Sequence, residues 1–585
     1  MAFVTGRQMR GSIAALAAAA LLLGACTGGG SSKPSPTATI GFADCEKNPT
    51  TCNGGDLKLG GAYTYGLEQP IANWNVNTRD GASPATKQAL SGLLPQVFKV
   101  DPQGRLQLNA DLVSSADITN QNPETIVYKI RPDAVWSDGI PITADDFLFA
   151  WKQNSGNPLH CSNCTPAATA GYDVIKSIVG SDGGKTVTMT FTDGKTFGDW
   201  KGLFSNDGLY PSHLATKQGF DLAKPAGVAA ASDWFARTVP TWSGGPYQVD
   251  SYNQGQSVVL KKNDKWYGKI KPSLDTITFK VITDPGAILP ALKAKELTGM
   301  SPLPSQALVA GVSATPGVIY SVGESYTWEH LTLNVRNKYL ADPVLRRALF
   351  TAVSVKTVLE KTYGAFDKNL KPLGSHNFVP GDTAYKDVIS GTGQGSGDTE
   401  KAKKLLTTAG YKLDNGRLST KAGEAVPALR LRYDKGNATR AAAAELISAA
   451  LKNIGIDAHP EAADSLPQTL TSADFDLALA DFVNGPLYQG AAERRWSTGA
   501  VGNYGGYSNP ELDRLVHSAA TDVDPRHAAD LLNQADDLLT KDAYVLPLMQ
   551  RPTLTFTYSE YANIRDNPSV WGPTYNIGEW GLRSD

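Results

Sequence analysis

Hydrophobic and polar residues alternate around residues 128–151 in a way that predicts a strand, a turn and a helix in succession. Tyr128 and Ile130 are apolar positions separated by a lysine, which is the period of a half-buried strand. Ser137-Asp138-Gly139 follows as a turn, because its glycine can adopt positive φ. Thr143 is then a good N-cap and Asp146 stands three residues on, so a capped helix is predicted to begin here.

Similar patterns recur along the chain and predict a mixed α/β protein. Alternating or short apolar runs predict strands, and apolar residues at helical spacing after a cap or a proline predict helices. Strands are expected at residues 57–67, 175–191 (as a hairpin), 274–282 and 475–482, and helices at 85–94, 285–295, 400–410, 439–453 and 525–539. A chain of 585 residues is too long for one core, so two or three domains are expected.

Residues 1–25 have the character of a signal peptide. Arg7 and Arg10 precede an Ala/Leu run that is too short for a comfortable membrane span. The run ends in Leu23-Gly24-Ala25-Cys26, which resembles the lipobox at which bacterial lipoproteins are cleaved and lipidated on the cysteine. Cys26 is therefore the expected lipid anchor, and residues 26–56 are the expected flexible tether. A plain secretory signal with an incidental cysteine is the alternative.

The four remaining cysteines fall into two close pairs, Cys45 with Cys52 and Cys161 with Cys164. In an exported chain this pattern favours two disulfides, Cys45–Cys52 and Cys161–Cys164, although four cysteines permit three connectivities. Cys161-Ser-Asn-Cys164 is also the spacing of half a zinc site or of a redox pair. A structural disulfide is favoured because no second Cys-x-x-Cys accompanies it.

Charge and motif content exclude several classes of function. The formal net charge is −2, and removal of residues 1–25 leaves 53 basic and 57 acidic residues, so no basic face points to nucleic acid. His-Glu-x-x-His and Gly-x-Ser-x-Gly motifs are absent, and the seven histidines are scattered singly. No cofactor or metal is therefore expected. His330 and His376 are interpreted as surface or packing residues.

Four segments together resemble a known family. These are Tyr128–Trp151, Ser243–Tyr247 with the strand that follows it, Asp342–Leu349 with the strand before it, and Asn503–Asp513. They are similar to signatures of the extracellular solute-binding proteins of bacterial ABC importers, in the group that binds oligopeptides, dipeptides and nickel. The resemblance covers roughly residues 57–560.

The resemblance implies the fold. It is an α/β, bilobed periplasmic-binding-protein-like fold of type II, with two mixed-sheet lobes joined by two crossing segments. Lobe I is expected at residues 57–283, with an extra subdomain at about 85–240. Lobe II is expected at residues 284–544, and residues 545–585 are expected to return to lobe I.

The resemblance also implies a ligand site at the carboxyl end of the strand over residues 475–482. Asp481, followed by Phe482, matches the position at which oligopeptide binders pair with the α-amino group of the peptide. Ligands in open α/β sheets gather at this end, and a buried ammonium needs a carboxylate. The further candidates are the loop residues Asp80, Gly81, Ala82 and Ser83, which match a backbone-contacting loop, and the aromatic cleft-wall residues Trp328 and Trp496.

The function expected is that of a monomeric, lipid-anchored receptor that captures a peptide between two lobes and passes it to membrane permease subunits. Closure about the two crossing segments would bury the ligand. Two alternatives stay open at this point. The same scaffold binds nickel chelates, sugars or signalling molecules in other members of the family, and an enzyme with an unusual site is a more distant possibility.

Overall fold

The computed structural model describes residues 41–205 and 208–584. The expected signal peptide, the expected lipid anchor Cys26 and the expected tether as far as residue 40 lie outside these residues. Within the two described ranges, the helices are all too short or too polar to cross a membrane.

Strands form the framework of the protein. They are β1 (Leu57–Lys58), β2 (Ala62–Leu67), β3 (Phe98–Val100), β4 (Leu106–Leu108), β5 (Val113–Gln121), β6 (Glu124–Ile130), β7 (Ile175–Ser181), β8 (Thr186–Phe191), β9 (Tyr247–Asn253), β10 (Ser257–Lys262), β11 (Thr276–Val281), β12 (Gly299–Met300), β13 (Val318–Leu333), β14 (Lys412–Asp414), β15 (Arg417–Ser419), β16 (Leu429–Asp434), β17 (Ala458–Ala463), β18 (Leu477–Val483), β19 (Val545–Tyr558), β20 (Tyr561–Ala562) and β21 (Gly581–Arg583).

Helices pack on these strands. They are α1 (Pro84–Leu90), α2 (Ala144–Asn154), α3 (Ser212–Lys217), α4 (Pro225–Arg237), α5 (Ile288–Lys293), α6 (Gln306–Ser313), α7 (Pro343–Ala352), α8 (Val355–Thr362), α9 (Thr399–Thr408), α10 (Ala438–Lys452), α11 (Leu466–Thr471), α12 (Gln489–Trp496), α13 (Pro510–Thr521) and α14 (Pro525–Asp542). The strands and helices predicted from the sequence are present, with ends displaced by a few residues.

Ten strands form one continuous sheet in the order β17-β16-β18-β13-β19-β12-β2-β11-β10-β9. The sheet is mixed, because β2 pairs in parallel with β11 whereas β13 pairs antiparallel with both β18 and β19. We call strands β2 and β9–β12, with everything packed on them, the first half of the molecule. Strands β16–β18 and everything packed on them form the second half.

Strands β13 and β19 carry the chain between the halves. Their mutual pairing shifts within residues 324–328, and residues 554–556 of β19 pack with α5 and α6 in the first half, whereas residues 546–549 pack in the second half. The sequence analysis placed these crossings earlier, at residues 284 and 545. Those bounds stay a prediction, and the structure adds that the apolar faces of α5 and α6 pack with β12 and β19.

The strand-turn-helix segment forms as predicted from its pattern. Strand β6 is followed by a turn in which Gly139 has a φ of 87°, and α2 begins with the capping box of Thr143 and Asp146. The carboxylate of Asp146 is fully buried and accepts hydrogen bonds from the Thr143 and Ser212 backbone N–H groups at 3.0 and 2.9 Å. Trp136 Nε1 donates to it as well, at 3.2 Å. The acid therefore joins the turn, α2 and α3.

A separate antiparallel sheet in the order β5-β6-β8-β7 lies within the region expected to be an extra subdomain. Its buried residues belong to the same hydrophobic cluster as those of β2, β10 and β11, so it packs on the first half. Phe147 and Tyr128 are among the fully buried side chains that join it to α2.

Residues 41–56 are packed on the protein, although the sequence analysis assigned them to the flexible tether. Asn53 is fully buried, and its side chain donates to the Ile564 carbonyl at 2.8 Å. Arg565 Nε donates to the Cys52 carbonyl at 2.8 Å. Sequence composition did not indicate this packing because its partners lie more than 500 residues away. The disulfides Cys45–Cys52 and Cys161–Cys164 both form as predicted.

Candidate ligand site at the boundary between the two halves

Asp481 lies near the carboxyl end of β18, beside the crossing strands. In the sheet it pairs with Glu329 of β13, so the two carboxylates share one face. Its Oδ2 atom accepts hydrogen bonds from Arg440 Nη2 at 2.6 Å and from Arg551 Nη1 at 3.2 Å. Its Oδ1 atom receives no hydrogen bond from the described residues, and the side chain is 37% exposed. One oxygen is thus held in place while the other is available.

Arg440 is the centre of a charge network around Asp481. It is buried, and it also pairs with Asp434 at 2.9 Å and Glu329 at 3.5 Å. Burial lowers the pKa of Arg440, but the three nearby carboxylates raise it by more, so its pKa is higher than usual. Glu329 is itself buried, which raises its pKa against the opposing effect of the two arginines. Arg440 therefore fixes the position of Asp481.

The first half contributes another acid to this region. Glu68 follows β2 directly, and its Oε1 accepts a hydrogen bond from the Leu303 N–H at 3.1 Å. Desolvation by the surrounding protein raises its pKa, and the charge of Arg551 opposes that rise. Counting Glu68 with Glu329, Asp434 and Asp481, four carboxylates face two guanidinium groups. The region consequently carries an excess of negative charge.

The aromatic candidates lie on the opposite face of the sheet. Phe482 is half-buried, and its ring stacks on His330 at 4.5 Å and lies 5.6 Å from the ring of Trp496. Trp328 and Trp496 are both 0% exposed and belong to the core of the second half. Neither therefore has the exposed surface expected of a cleft wall, and their contact with a ligand stays a prediction. Packing is the role that the structure gives them.

The loop Asp80–Ser83 forms the entry to α1. Gly81 and Ala82 donate backbone hydrogen bonds to the Thr78 carbonyl at 3.2 and 3.0 Å, and Ser83 caps α1 by accepting from the Thr86 N–H at 3.2 Å. A side chain at Gly81 would collide with the Asn75 carbonyl, which lies 2.0 Å from the Cβ position. Asp80 is exposed. These bonds are all internal to the first half, so a ligand contact of this loop stays a prediction.

Comparison with known proteins identifies the family. A family model described as bacterial extracellular solute-binding proteins, family 5 Middle, matches residues 107–503, which is more than half of the chain. The chain belongs to this family. Its members are the binding components of ABC importers, and the expected α/β fold of type II periplasmic binding proteins is confirmed.

Proteins similar to this solute-binding protein have names that refer to different ligands, or to no ligand at all. The oligopeptide-binding protein OppA of Mycobacterium tuberculosis (strain ATCC 25618 / H37Rv) is 27% identical over 528 residues, covering 88% of this chain and 84% of OppA. An uncharacterized lipoprotein of Mycobacterium leprae (strain TN) is 26% identical over 561 residues, covering 91% and 95%. The solved structure of the periplasmic EDTA-binding protein EppA is 35% identical with a TM-score of 0.86, covering 92% and 99%.

The two halves of this solute-binding protein also touch outside the crossing strands. Asp199, in the loop after β8, accepts a hydrogen bond from the Gly490 N–H at the start of α12 at 2.8 Å, and the Gly198 N–H donates to the Ala520 carbonyl at 3.2 Å. Burial raises the pKa of Asp199 to about 6. We call this the Asp199 contact.

Sequence reasoning missed most of the partners of Asp481. Arg440 and Arg551 lie 41 and 70 residues from Asp481 in the chain. A single sequence gives no sign that residues so far apart meet. The one signal in the sequence was Arg440 itself, the single charged residue within the alanine-rich residues 438–444, because a charged residue on a helix face that becomes buried requires a partner.

Proposed function

We propose that the protein captures peptides between its two halves and delivers them to the permease of an ABC importer. The observation that carries this proposal is the carboxylate of Asp481, which has one oxygen held by two arginines and one oxygen free. A peptide α-amino group is a compact cation with three donors, and it fits a single free carboxylate oxygen in an acid-rich surrounding.

Local charge supports an ammonium-bearing ligand. Four carboxylates, those of Glu68, Glu329, Asp434 and Asp481, face the two guanidinium groups of Arg440 and Arg551. A cation entering this region reduces the imbalance, whereas a small anion would increase it. An ion pair formed on closure is also stronger than the same pair in water, because water is excluded from the site.

Hinge motion about β13 and β19 would open and close the site. These two strands join the halves, and the shift in their pairing within residues 324–328 interrupts the regular ladder there. Contacts such as that of Asp199 with Gly490 would form only in the closed state. Ligand contacts from both halves would then favour closure.

Attachment to the membrane would keep the receptor near its permease. We assign the anchor to Cys26, in keeping with the lipobox-like sequence before it and with the relative in Mycobacterium leprae that is named a lipoprotein. A diacylglycerol on the cysteine supplies two acyl chains, which are enough to anchor a protein stably at a bilayer. The expected partners are thus the peptide, the permease subunits and the membrane.

A metal chelate with several carboxylates is the second candidate ligand. The observation that favours it is the 35% identity to EppA, which is named for binding EDTA. The acid excess around Asp481 argues against a polyanion at that position, so we place this candidate second. The two candidates differ in charge and in mass, which makes them easy to separate.

Native mass spectrometry of the full chain as purified tests the proposal first. A set of co-purifying masses that fragment as peptides supports it, and one defined chelate overturns it. The residue-level test compares Asp481→Asn with Asp537→Asn, a control that removes an exposed carboxylate of the second half. Asp481→Asn is expected to weaken binding of free-amine peptides about 10- to 100-fold, with little effect on amino-acetylated ones. Equal losses for both peptide sets would contradict the role of Asp481.

A further inference from the structure

A cavity of about 300 Å³ lies in the first half of the molecule, apart from the candidate ligand site. Its walls include the hairpin of β3 and β4 with residues 109–111, parts of the segments 266–270 and 575–579, and Thr50. Its lining contains no residue of the crossing strands or of the second half, and Asp481 and its partners are not part of it. A volume of this size is within the range of small-molecule sites, about 300–1,000 Å³.

Lys99, on β3, brings an unpartnered ammonium group to the wall of this cavity. Its Nζ atom forms neither a hydrogen bond nor an ion pair with the residues that the structure describes. Burial lowers its pKa, and the charges of Asp111 and Glu579 oppose that change. A partly desolvated amine is stabilised by any group that supplies acceptor oxygens. Lys99 is therefore a hydrogen-bond donor that is open to a ligand.

Two carboxylates of the same wall each keep one oxygen atom free. Asp111 accepts a hydrogen bond through Oδ1 from the Lys269 N–H at 2.9 Å, and Glu579 accepts through Oε2 from Arg565 Nη1 at 2.8 Å. Asp111 Oδ2 and Glu579 Oε1 receive no hydrogen bond within the described part of the chain. The cavity therefore presents free acceptors as well as the free donor of Lys99.

The charges on the wall of the cavity are balanced. Lys99 and Arg565 are its cations. Asp111 and Glu579 are its anions, and the remaining acid, Asp101, is paired with a neighbouring arginine at 2.9 Å. A wall without net charge gives no advantage to an ion. Separate donors and acceptors instead suit a neutral solute whose hydroxyl groups can both donate and accept.

Trp266 adds an apolar surface whose orientation is fixed. Its Nε1 donates to the Ile270 carbonyl at 2.8 Å, and its ring lies so close to Gly268 that a Cβ atom there would be 2.0 Å from Trp266 Cζ2. Ile270, which is 50% exposed, and Tyr575 line the cavity as well. The face of an aromatic ring carries partial negative charge, which attracts the C–H groups on one side of a sugar ring.

We propose that this cavity, which we call the Lys99 cavity, is a carbohydrate-binding site. Hydroxyl groups of the sugar accept from Lys99 and donate to Asp111 and Glu579, and the apolar side of the sugar ring lies against Trp266. The Lys99 cavity is separate from the site proposed for peptides, so this inference goes beyond the proposed function and does not depend on it.

The experiment measures binding of a panel of neutral mono- and disaccharides to the full chain by saturation-transfer difference NMR and calorimetry, with glycine and acetate as charged probes. We expect at least one sugar to bind with a Kd of about 1 mM or tighter. Lys99→Met and Trp266→Leu should each weaken that sugar about tenfold or more. Lys265→Met, at an exposed lysine outside the cavity, is the matched control and should bind as the wild type does.

Lys99→Met removes no hydrogen bond or ion pair of the described chain, so this variant is expected to fold, which circular dichroism checks. Equal sugar affinity in the wild type, Lys99→Met and Trp266→Leu would overturn the inference. So would a wild type that binds no sugar of the panel at about 50 mM, or that binds only glycine or acetate. Displacement of the sugar by excess peptide would place it at the other site and overturn the inference too. A wild type that binds sugar but no peptide contradicts the proposed function alone.

Discussion

His376 and His330 are two fully buried histidines of the same half, and their surroundings are opposite. His376 Nδ1 contacts Asp536 Oδ1 at 3.0 Å, and its Nε2 contacts the Val545 carbonyl at 3.0 Å. Both ring nitrogens of His330 have no partner among the described residues, and its ring stacks on Phe482. The sequence analysis interpreted both as surface or packing residues, and neither is at the surface.

The two histidines therefore belong to different kinds of polar cluster. Around His376 every polar group has a hydrogen-bond partner, whereas around His330 several polar groups have none. Asp536 also accepts from the Ser375 hydroxyl at 2.5 Å and from Asn377 Nδ2 at 3.2 Å, so every group in that cluster is satisfied. A complete network of this kind specifies packing. Around His330, by contrast, Trp328 Nε1 and Gln550 Oε1 are also buried without a hydrogen-bond partner among the described residues. Buried polar groups without partners add no hydrogen bonds to the packing, so the two clusters are expected to differ in what they contribute to stability.

Removing the central acid of the complete cluster is expected to have the largest effect. Asp536→Ala leaves the donors of Ser375, His376 and Asn377 buried without an acceptor, so it should lower the free energy of unfolding by about 3–5 kcal/mol. Urea unfolding followed by circular dichroism measures this. Asp537→Ala, at the exposed neighbouring position, is the control and should change stability by less than about 0.5 kcal/mol. Similar losses in both variants would refute the assignment.

The sequence predicted those features whose determinants are local. The turn at Gly139, the capping box of Thr143 and Asp146, and the two disulfides each depend on residues close together in the chain. The candidate site could be predicted only at Asp481, through resemblance to a family. Its arginine partners, the packing of Asn53 and the contrast between the two histidines all depend on contacts between residues far apart in the sequence.

The hydrogen bond between Asp199 and Gly490 differs from both histidine clusters, because it joins the two halves of the molecule. Burial where the two halves touch raises the pKa of Asp199 to about 6, whereas an exposed aspartate in an open form would titrate near 4. Protonation therefore favours closure, and the gain appears as pH falls from 6 towards 4. We expect free-amine peptides to bind about tenfold more tightly at pH 5 than at pH 7 through this group.

Comparison with Asp199→Asn isolates this effect. Asparagine keeps an oxygen acceptor for the Gly490 N–H and does not titrate in this range, so the variant should lose the tenfold pH dependence. The measured quantity is the ratio of wild-type to variant affinity at each pH, which cancels titration of the peptide and of other groups. A ratio that does not change between pH 7 and pH 5 would show that Asp199 does not couple protonation to closure.

Substitution of His330 should have the smallest effect on stability, and this is where the two histidines differ most clearly. His330→Leu replaces an unpartnered imidazole by an apolar side chain of similar size, so the free energy of unfolding should change by no more than about 1 kcal/mol and can increase. His376→Leu, the matched control, leaves Asp536 without a donor and should be markedly destabilising. Thermal unfolding of both variants tests the pair. Equal destabilisation would mean that His330 has partners in solution.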